Sequence, residues 1–123
     1  QAKFRGGDRN ENDLPGVPAF VDSLQINYSP LENLSTYFNF YYQSSSRPLN
    51  DFRNYQIVQK GYHTLNVGFA GNFKGYKASL ALNNLQDKIH YNYAVGSGSG
   101  VYHTVSYYPL PGFNTLFKIS KEF

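Results

Sequence analysis

The side chains best suited to bind a ligand are arginines and tyrosines in the polar segments between the apolar stretches of the chain. Arg carries a permanent charge and a fork of N–H donors, while Tyr offers a flat ring that ends in a hydroxyl, so together they suit anionic or aromatic chelates and sugars. The alternative is that these are ordinary loop and interfacial side chains, where Tyr is common. We expect contacts from Arg47, Arg53, Tyr55, Tyr91, Tyr93, Tyr102 and Tyr108.

Catalytic and metal-binding chemistry finds little support in the sequence. The histidines His63, His90 and His103 are far apart and the chain has no Cys, so neither a metal site nor a cofactor is expected. No two carboxylates have a spacing that indicates a hydrolytic pair, and no Ser lies in a nucleophile-elbow motif. The net charge of +3 comes from scattered Lys and Arg, which argues against nucleic-acid binding. We therefore expect a protein that is not an enzyme.

Alternating apolar and polar residues predict the strands that must position these side chains. Side chains on a strand point to opposite faces in turn, so each predicted strand has one apolar face. Short turns are predicted at 29–33 and 73–75, whereas 1–19, 44–61 and 86–112 read as long surface loops. Within the last loop, the tyrosine-rich arms 90–95 and 101–108 are expected to pair. The predicted strands cover residues 20–28, 34–43, 64–73, 76–83 and 113–123.

The alternation of short turns and long loops favours a transmembrane β-barrel. No stretch approaches the roughly 18 apolar residues of a membrane helix, so any membrane contact would use strands. Outer-membrane barrels end on a strand with an interfacial aromatic, here Phe123. Counting back from Phe123 places the long loops outside the cell and the short turns in the periplasm. Phe117, Ile119 and Phe123 would anchor the barrel terminus in lipid, while Tyr37, Asn39, Tyr41 and Asn66 would face the lumen.

Three motifs resemble those of the carboxy-terminal part of a TonB-dependent outer-membrane receptor. The first is Leu-Pro-Gly-Val-Pro at 14–18, and the second is Asn-Leu-Gln-Asp-Lys at 84–88, followed by Tyr91. The third is Pro-Gly at 111–112, which leads into the last strand. Gln86 departs from the family pattern, which usually has Phe there, and Lys121 stands where an aromatic is more common.

The resemblance implies an all-β antiparallel meander of about five transmembrane strands within a barrel of about 22 strands. Residues 1–123 would be the carboxy-terminal segment of the barrel domain, without the plug domain or the remaining strands. Its partners would be the rest of the barrel, the plug, TonB through the plug, membrane lipid and a small nutrient. The nutrient would be a siderophore or other iron chelate, haem, cobalamin or a glycan, imported at the bacterial outer membrane.

The length of the chain points the same way. Each transmembrane strand needs about 9 to 11 residues, so 123 residues with long loops do not comfortably close even an eight-stranded barrel. The chain begins at Gln1 and contains no Met, so we expect it to be processed or to belong to a longer polypeptide.

Two alternatives remain open from the sequence. One is another outer-membrane barrel, such as a porin or adhesin fragment. The other is a soluble β-sandwich that binds carbohydrate through tyrosine-rich loops. In that second case, a single dry core would be formed by Phe38, Phe40, Leu65, Val67, Phe69, Leu80, Leu82 and Phe117.

Overall fold

The chain folds into antiparallel β-structure, as predicted. The computed structural model describes residues 2–55, 57–97 and 104–121. These residues include a short 3-10 helix at Gly7–Arg9 but no α-helix, and none of their helices is long and apolar enough to cross a membrane. The strands are β1 (Val21–Leu31), β2 (Leu34–Gln43), β3 (Tyr62–Phe73), β4 (Tyr76–Asn83), β5 (Tyr91–Ser97), β6 (Thr104–Pro109) and β7 (Asn114–Lys121).

The chain divides into two compact units. We call the first the sheet unit; it comprises Ser23–Tyr41, His63–Lys88 and Pro111–Phe123. We call the second the loop unit; it comprises Gln1–Asp22, Tyr42–Tyr62 and Ile89–Leu110. Five strands form a sheet in the order β1-β2-β3-β4-β7, while β5 and β6 pair with each other as a separate two-stranded sheet. The five predicted strands form one sheet, and the two tyrosine-rich arms pair over the residues that the structure describes, which exclude 101–103.

Tight turns fix the register of the sheet. Phe73 pairs with Tyr76, so only Lys74 and Gly75 form the turn between β3 and β4. Both have positive φ angles, 50° and 80°, the combination that a two-residue hairpin turn of the I′ type requires. At the other turn, β1 continues through Pro30, whereas the sequence predicts this residue in the turn at 29–33. Because β1 lies at the edge of this sheet, a residue without an N–H is tolerated there.

The register gives the sheet one apolar and one polar face. Phe69, Leu80 and Phe117 lie opposite one another on β3, β4 and β7, so their side chains share a face. We call this the apolar face; on the same three strands it also carries Val67, Phe73, Tyr76, Ala78, Leu82, Thr115, Ile119 and Lys121. The opposite, polar face carries Gly68, Ala70, Asn72, Lys77, Ser79, Ala81, Asn83, Asn114, Leu116, Lys118 and Ser120.

The apolar face is exposed rather than packed into a core. Phe117 is 64% exposed, Ile119 62% and Phe69 43%. The apolar side chains of Ala94 and Pro48 are fully buried, and both residues belong to the loop unit rather than to the sheet unit. None of the eight residues proposed as the core of a soluble β-sandwich is buried. The sheet therefore presents its apolar side chains outward, and that sandwich core is not formed.

The loop unit holds buried polar groups, contrary to the prediction for residues 44–61. Ser46 and Gln59 are buried and exchange two backbone hydrogen bonds, at 3.1 and 2.9 Å. The Gln59 side chain also donates to the carbonyl oxygen of Tyr91 at 2.6 Å. Nearby, the Leu49 N–H donates to the Ala94 carbonyl and the Leu49 carbonyl accepts from Gly96, so this segment runs along β5. Buried polar groups need hydrogen-bond partners, and for Ser46 and Gln59 these partners are backbone groups of the loop unit.

Candidate functional site

Two aromatic pairs lie on the β5–β6 hairpin of the loop unit. The rings of Tyr93 and Tyr108 stack with centroids 4.5 Å apart and an angle of 21° between their planes. The rings of Tyr91 and Tyr107 meet at 5.0 Å with a tilt of 48°. All four rings are partly exposed, between 38% and 45%. Each pair offers both a ring surface and phenol hydroxyls to a ligand.

A bulge places the two pairs on opposite faces of the hairpin. Tyr93 pairs with Tyr108, whereas Tyr91 pairs with Pro109, so Asn92 is an extra residue on β5. A bulge of this kind shifts the alternation of side chains by one. Tyr91 therefore shares a face with Tyr107. In a regular strand, Tyr91 and Tyr93 would share a face, because they are two residues apart.

The hairpin is fixed to the rest of the loop unit at its base. Ala94 is fully buried beneath the segment that contains Leu49, and His90 stacks on Tyr62 at a centroid distance of 5.0 Å. The backbone N–H of Leu110 donates to the His90 carbonyl at 2.7 Å. These contacts hold the strands from which the four tyrosines project.

Arg47, a predicted ligand contact, forms an ion pair within the loop unit. Its Nε lies 3.6 Å from Oδ2 of Asp13, and the side chains are 22% and 21% exposed. The Arg47 carbonyl accepts a hydrogen bond from Gly16 at 2.9 Å. A carboxylate of the chain thus balances the charge of Arg47. The contacts of Arg47 with Asp13 and Gly16 join two loop segments, and this structural role requires no ligand.

Arg53 and Tyr55 lie on an exposed turn that follows a buried carboxylate. Asp51 is buried, and its Oδ1 accepts a hydrogen bond from the Tyr55 N–H at 2.8 Å. Asn54 has a φ of 58°, which curves the chain at this point. Tyr55 is 65% exposed and Arg53 is also exposed, so both side chains are accessible. Tyr102, His103 and Phe123 lie outside the described residues.

The sheet unit carries a separate candidate site on its polar face. A cavity of about 390 Å³ is lined by Gln25, Tyr37, Asn39, Asn66 and Asn83, which come from β1, β2, β3 and β4. Asn66 donates to the side-chain oxygen of Asn39 at 3.1 Å. Its own side-chain oxygen accepts from the backbone of Asn84 at 3.0 Å. We call this the amide cavity.

A second cavity of about 390 Å³ lies near the two turns of the sheet unit and differs in charge. Lys77, Lys118 and Glu32 contribute ionisable groups to it, together with several serines. Lys77 pairs with Ser120 and Lys118 pairs with Ser79, so the two lysines are diagonal neighbours on the polar face. The polar face thus has a neutral cavity and a charged one.

The segment at 84–88 holds the start of β7 in place. Asn84 is buried with a φ of 51°, and its side-chain N–H groups donate to the carbonyls of Lys88 and Pro111, at 2.9 and 3.2 Å. Asp87 accepts a hydrogen bond from the Phe113 N–H at 2.9 Å. This motif therefore acts as a structural junction between β4 and β7.

The described residues contain no group of three or more His, Cys, Asp and Glu that could hold a metal ion. Of the predicted ligand contacts, the structure brings together Tyr93 with Tyr108. The sequence prediction missed Tyr107, although it adjoins Tyr108 in the same arm, and Asp13 as the partner of Arg47. It placed Tyr37, Asn39 and Asn66 on one face but did not identify a site there, because Gln25 and Asn83, which complete the lining, come from two further strands and share no local motif with them. No family model, curated protein or solved structure matches the chain.

Proposed function

We propose that this chain is part of the wall of an outer-membrane β-barrel, and that the barrel is a nutrient-uptake receptor of the TonB-dependent class. The observation that carries the proposal is the exposed apolar face of the sheet unit. Apolar side chains on the three neighbouring strands β3, β4 and β7 share one side of the sheet, and Phe69, Phe117 and Ile119 on that side are exposed. Hydrocarbon is a favourable environment for such a face, whereas water is not.

The polar face supports the same interpretation. A barrel wall faces lipid on one side and a polar lumen on the other, so apolar and polar residues alternate along each strand. Lys118 and Ser120 alternate with Phe117 and Ile119 on β7 in this way. A sheet from a soluble sandwich would bury its apolar face against a second sheet.

One end of the apolar face has the composition of a membrane interface. Phe73, Tyr76 and Lys121 form a row across β3, β4 and β7. The Lys121 ammonium lies 5.1 Å from the centre of the Tyr76 ring, and that of Lys74 lies 5.3 Å from the centre of the Phe73 ring. Aromatic rings and lysines that extend toward headgroups are typical of the boundary of the hydrocarbon layer.

The open edges of the sheet imply further strands. Within the described part of the chain, β1 and β7 each have one neighbour in the sheet, and unsatisfied edges are not tolerated in a hydrocarbon environment. In the proposed receptor, other strands of a barrel of about 22 would pair with both edges. A plug, reached by TonB, would occupy the lumen, and outer-membrane lipid would cover the apolar face.

The segment at 84–88 favours a receptor over a porin or adhesin, because its sequence resembles a motif of the receptor family and it directly follows a strand, β4. In this proposal the β5–β6 hairpin belongs to an extracellular loop, and its tyrosines contact the nutrient. Arg53 and Tyr55 are the further exposed contacts in the same unit. Nothing in this assignment requires a catalytic group.

Single-cysteine labelling tests the membrane assignment, because the chain has no Cys of its own. Cys is introduced at Leu116, Phe117, Lys118 or Ile119 and exposed to a water-soluble maleimide in membranes of producing cells. We expect Leu116→Cys and Lys118→Cys to react and Phe117→Cys and Ile119→Cys to be protected. Protection of the second pair should be lost when detergent-solubilised, denatured protein is labelled.

Equal labelling of adjacent positions in membranes would overturn the proposed barrel wall. Recovery of the protein in the aqueous fraction, monodisperse without detergent, would do the same. Transport is tested separately by measuring uptake of iron chelates, haem, cobalamin and glycans in cells with and without the protein.

A further inference from the structure

The amide cavity has the chemistry of a binding site for a small neutral molecule rich in hydroxyl groups. All five lining side chains are uncharged: three Asn, one Gln and one Tyr. A charged ligand would find no opposite charge among these side chains, whereas a neutral polar ligand needs none. The hollow has a volume of about 390 Å³ and is open to solvent on one side.

The lining amides retain hydrogen-bonding capacity after their contacts within the chain are formed. A primary amide has two N–H donors and an oxygen that accepts twice. Asn66 uses one side-chain N–H on Asn39, Asn83 uses one on Asn114, and Gln25 uses one on Asn27. The second N–H of each remains, together with the Asn39 side-chain N–H groups and the acceptor capacity of the Asn83 oxygen. Adjacent donors and acceptors of this kind match neighbouring hydroxyl groups, each of which both donates and accepts.

The same hydrogen bonds hold the amides in fixed orientations. Asn66 is held at both ends, by Asn39 through its nitrogen and by the Asn84 backbone through its oxygen. Tyr37 lies against Gly68, where a side chain would overlap its ring. A preorganised site loses less conformational entropy when a ligand binds.

We propose that the amide cavity binds a mono- or disaccharide through Gln25, Asn39, Asn66 and Asn83, with the Tyr37 ring beside the sugar. The inference deepens the proposed function, on which it rests for the route by which a sugar reaches this face. The binding itself depends only on the sheet unit.

The experiment uses the full chain in detergent micelles, with maltose as the neutral probe. Binding is followed by NMR through the side-chain amide signals of Asn and Gln. We expect maltose to shift the signals of the cavity amides, and Gln25→Ala or Asn39→Ala to weaken maltose binding by about tenfold through loss of hydrogen bonds. Ser120→Ala, on the polar face but outside the cavity, is the matched control and should leave binding unchanged.

Three results would overturn the proposal. The first is the absence of maltose-induced shifts in a chain whose backbone spectrum is dispersed. The second is tighter binding of glucuronate than of maltose, which would mean that the site selects charge. The third is binding of a neutral blocked dipeptide in place of maltose, which would make this a contact surface for polypeptide. The maltose measurement does not depend on which face of the sheet contacts lipid, so a chain that failed the labelling test would still be able to bind maltose, and the two failures are distinguishable.

Discussion

The ring of Tyr37 on β2 covers Gly68 on β3, and a β-carbon at Gly68 would overlap ring atoms Cε1 and Cζ. We expect Gly68→Ala to lower the free energy of unfolding by about 1–3 kcal/mol, because the ring must leave its position. Denaturant unfolding measures the change. Gly71→Ala is the control, since a β-carbon there would lie 3.6 Å from its nearest neighbour, the Asn33 oxygen. An equal loss in both variants would contradict steric exclusion at Gly68.

The side chain of Asn84 should contribute strongly to stability. Asn84→Asp removes the N–H donors to Lys88 and Pro111 and sets a carboxylate against their carbonyl oxygens. We expect a loss of about 2–4 kcal/mol in the free energy of unfolding. Asn72→Asp makes the same chemical change at an exposed position of β3 and should cost far less. If the two variants unfold at the same denaturant concentration, Asn84 is not a junction.

The ion pair between Arg47 and Asp13 should appear as coupling between the two positions. Arg47→Gln and Asp13→Asn each remove one charge of a pair that is about one-fifth exposed. In a double-mutant cycle we expect a coupling energy of about 1 kcal/mol in the free energy of unfolding. Strictly additive effects would contradict the ion pair as a stabilising contact.

The two faces of β7 should respond differently to a new charge. In the proposed barrel wall, Phe117→Lys places an ammonium in lipid, whereas Leu116→Lys places one on the polar face. We expect Phe117→Lys to cost about 2–4 kcal/mol more than Leu116→Lys. Unfolding of the membrane-inserted protein in denaturant measures the difference. Similar costs at these adjacent positions would argue against lipid at the apolar face.

The stacked tyrosines of the β5–β6 hairpin should be energetically coupled. In a double-mutant cycle of Tyr93→Leu and Tyr108→Leu, we expect a coupling of about 0.5–1.5 kcal/mol in the free energy of unfolding, because the stacking interaction is lost when either ring is removed. Tyr93→Leu with Tyr107→Leu is the matched cycle, since those rings lie on opposite faces, and it should give a coupling near zero. Equal coupling in the two cycles would contradict the position of the bulge.

The sheet was predictable because its information is local. The bounds of β2 and β4 match the predicted strands 34–43 and 76–83, since alternation and the Lys74-Gly75 turn are both encoded within a few residues. The assignment of Phe117 and Ile119 to one apolar face followed from the same alternation. The prediction of Pro30 in a turn was wrong. Proline is tolerated in an edge strand, and the position of a strand at the edge depends on the whole sheet, so the residues around Pro30 do not reveal it.

The loop unit was less predictable because its contacts are remote in sequence. The polar composition of residues 44–61 predicts a solvated loop. Gln59 is nevertheless buried, and its side chain donates a hydrogen bond to the carbonyl oxygen of Tyr91. Likewise, nothing near Arg47 indicates that its partner is Asp13. Polar composition predicts exposure only when such partners are absent, and a single sequence does not reveal them.

The extra residue in β5 makes the hairpin bifacial. One side presents Tyr93 with Tyr108 and the other presents Tyr91 with Tyr107. Whenever a neighbouring surface covers one pair of phenols, the other pair still points away from it. One face of the hairpin is therefore able to pack against another surface while the other face stays accessible to a ligand. A one-residue insertion in β6 opposite Asn92 would remove this separation of the two pairs, because it would return Tyr91 to the face of Tyr93.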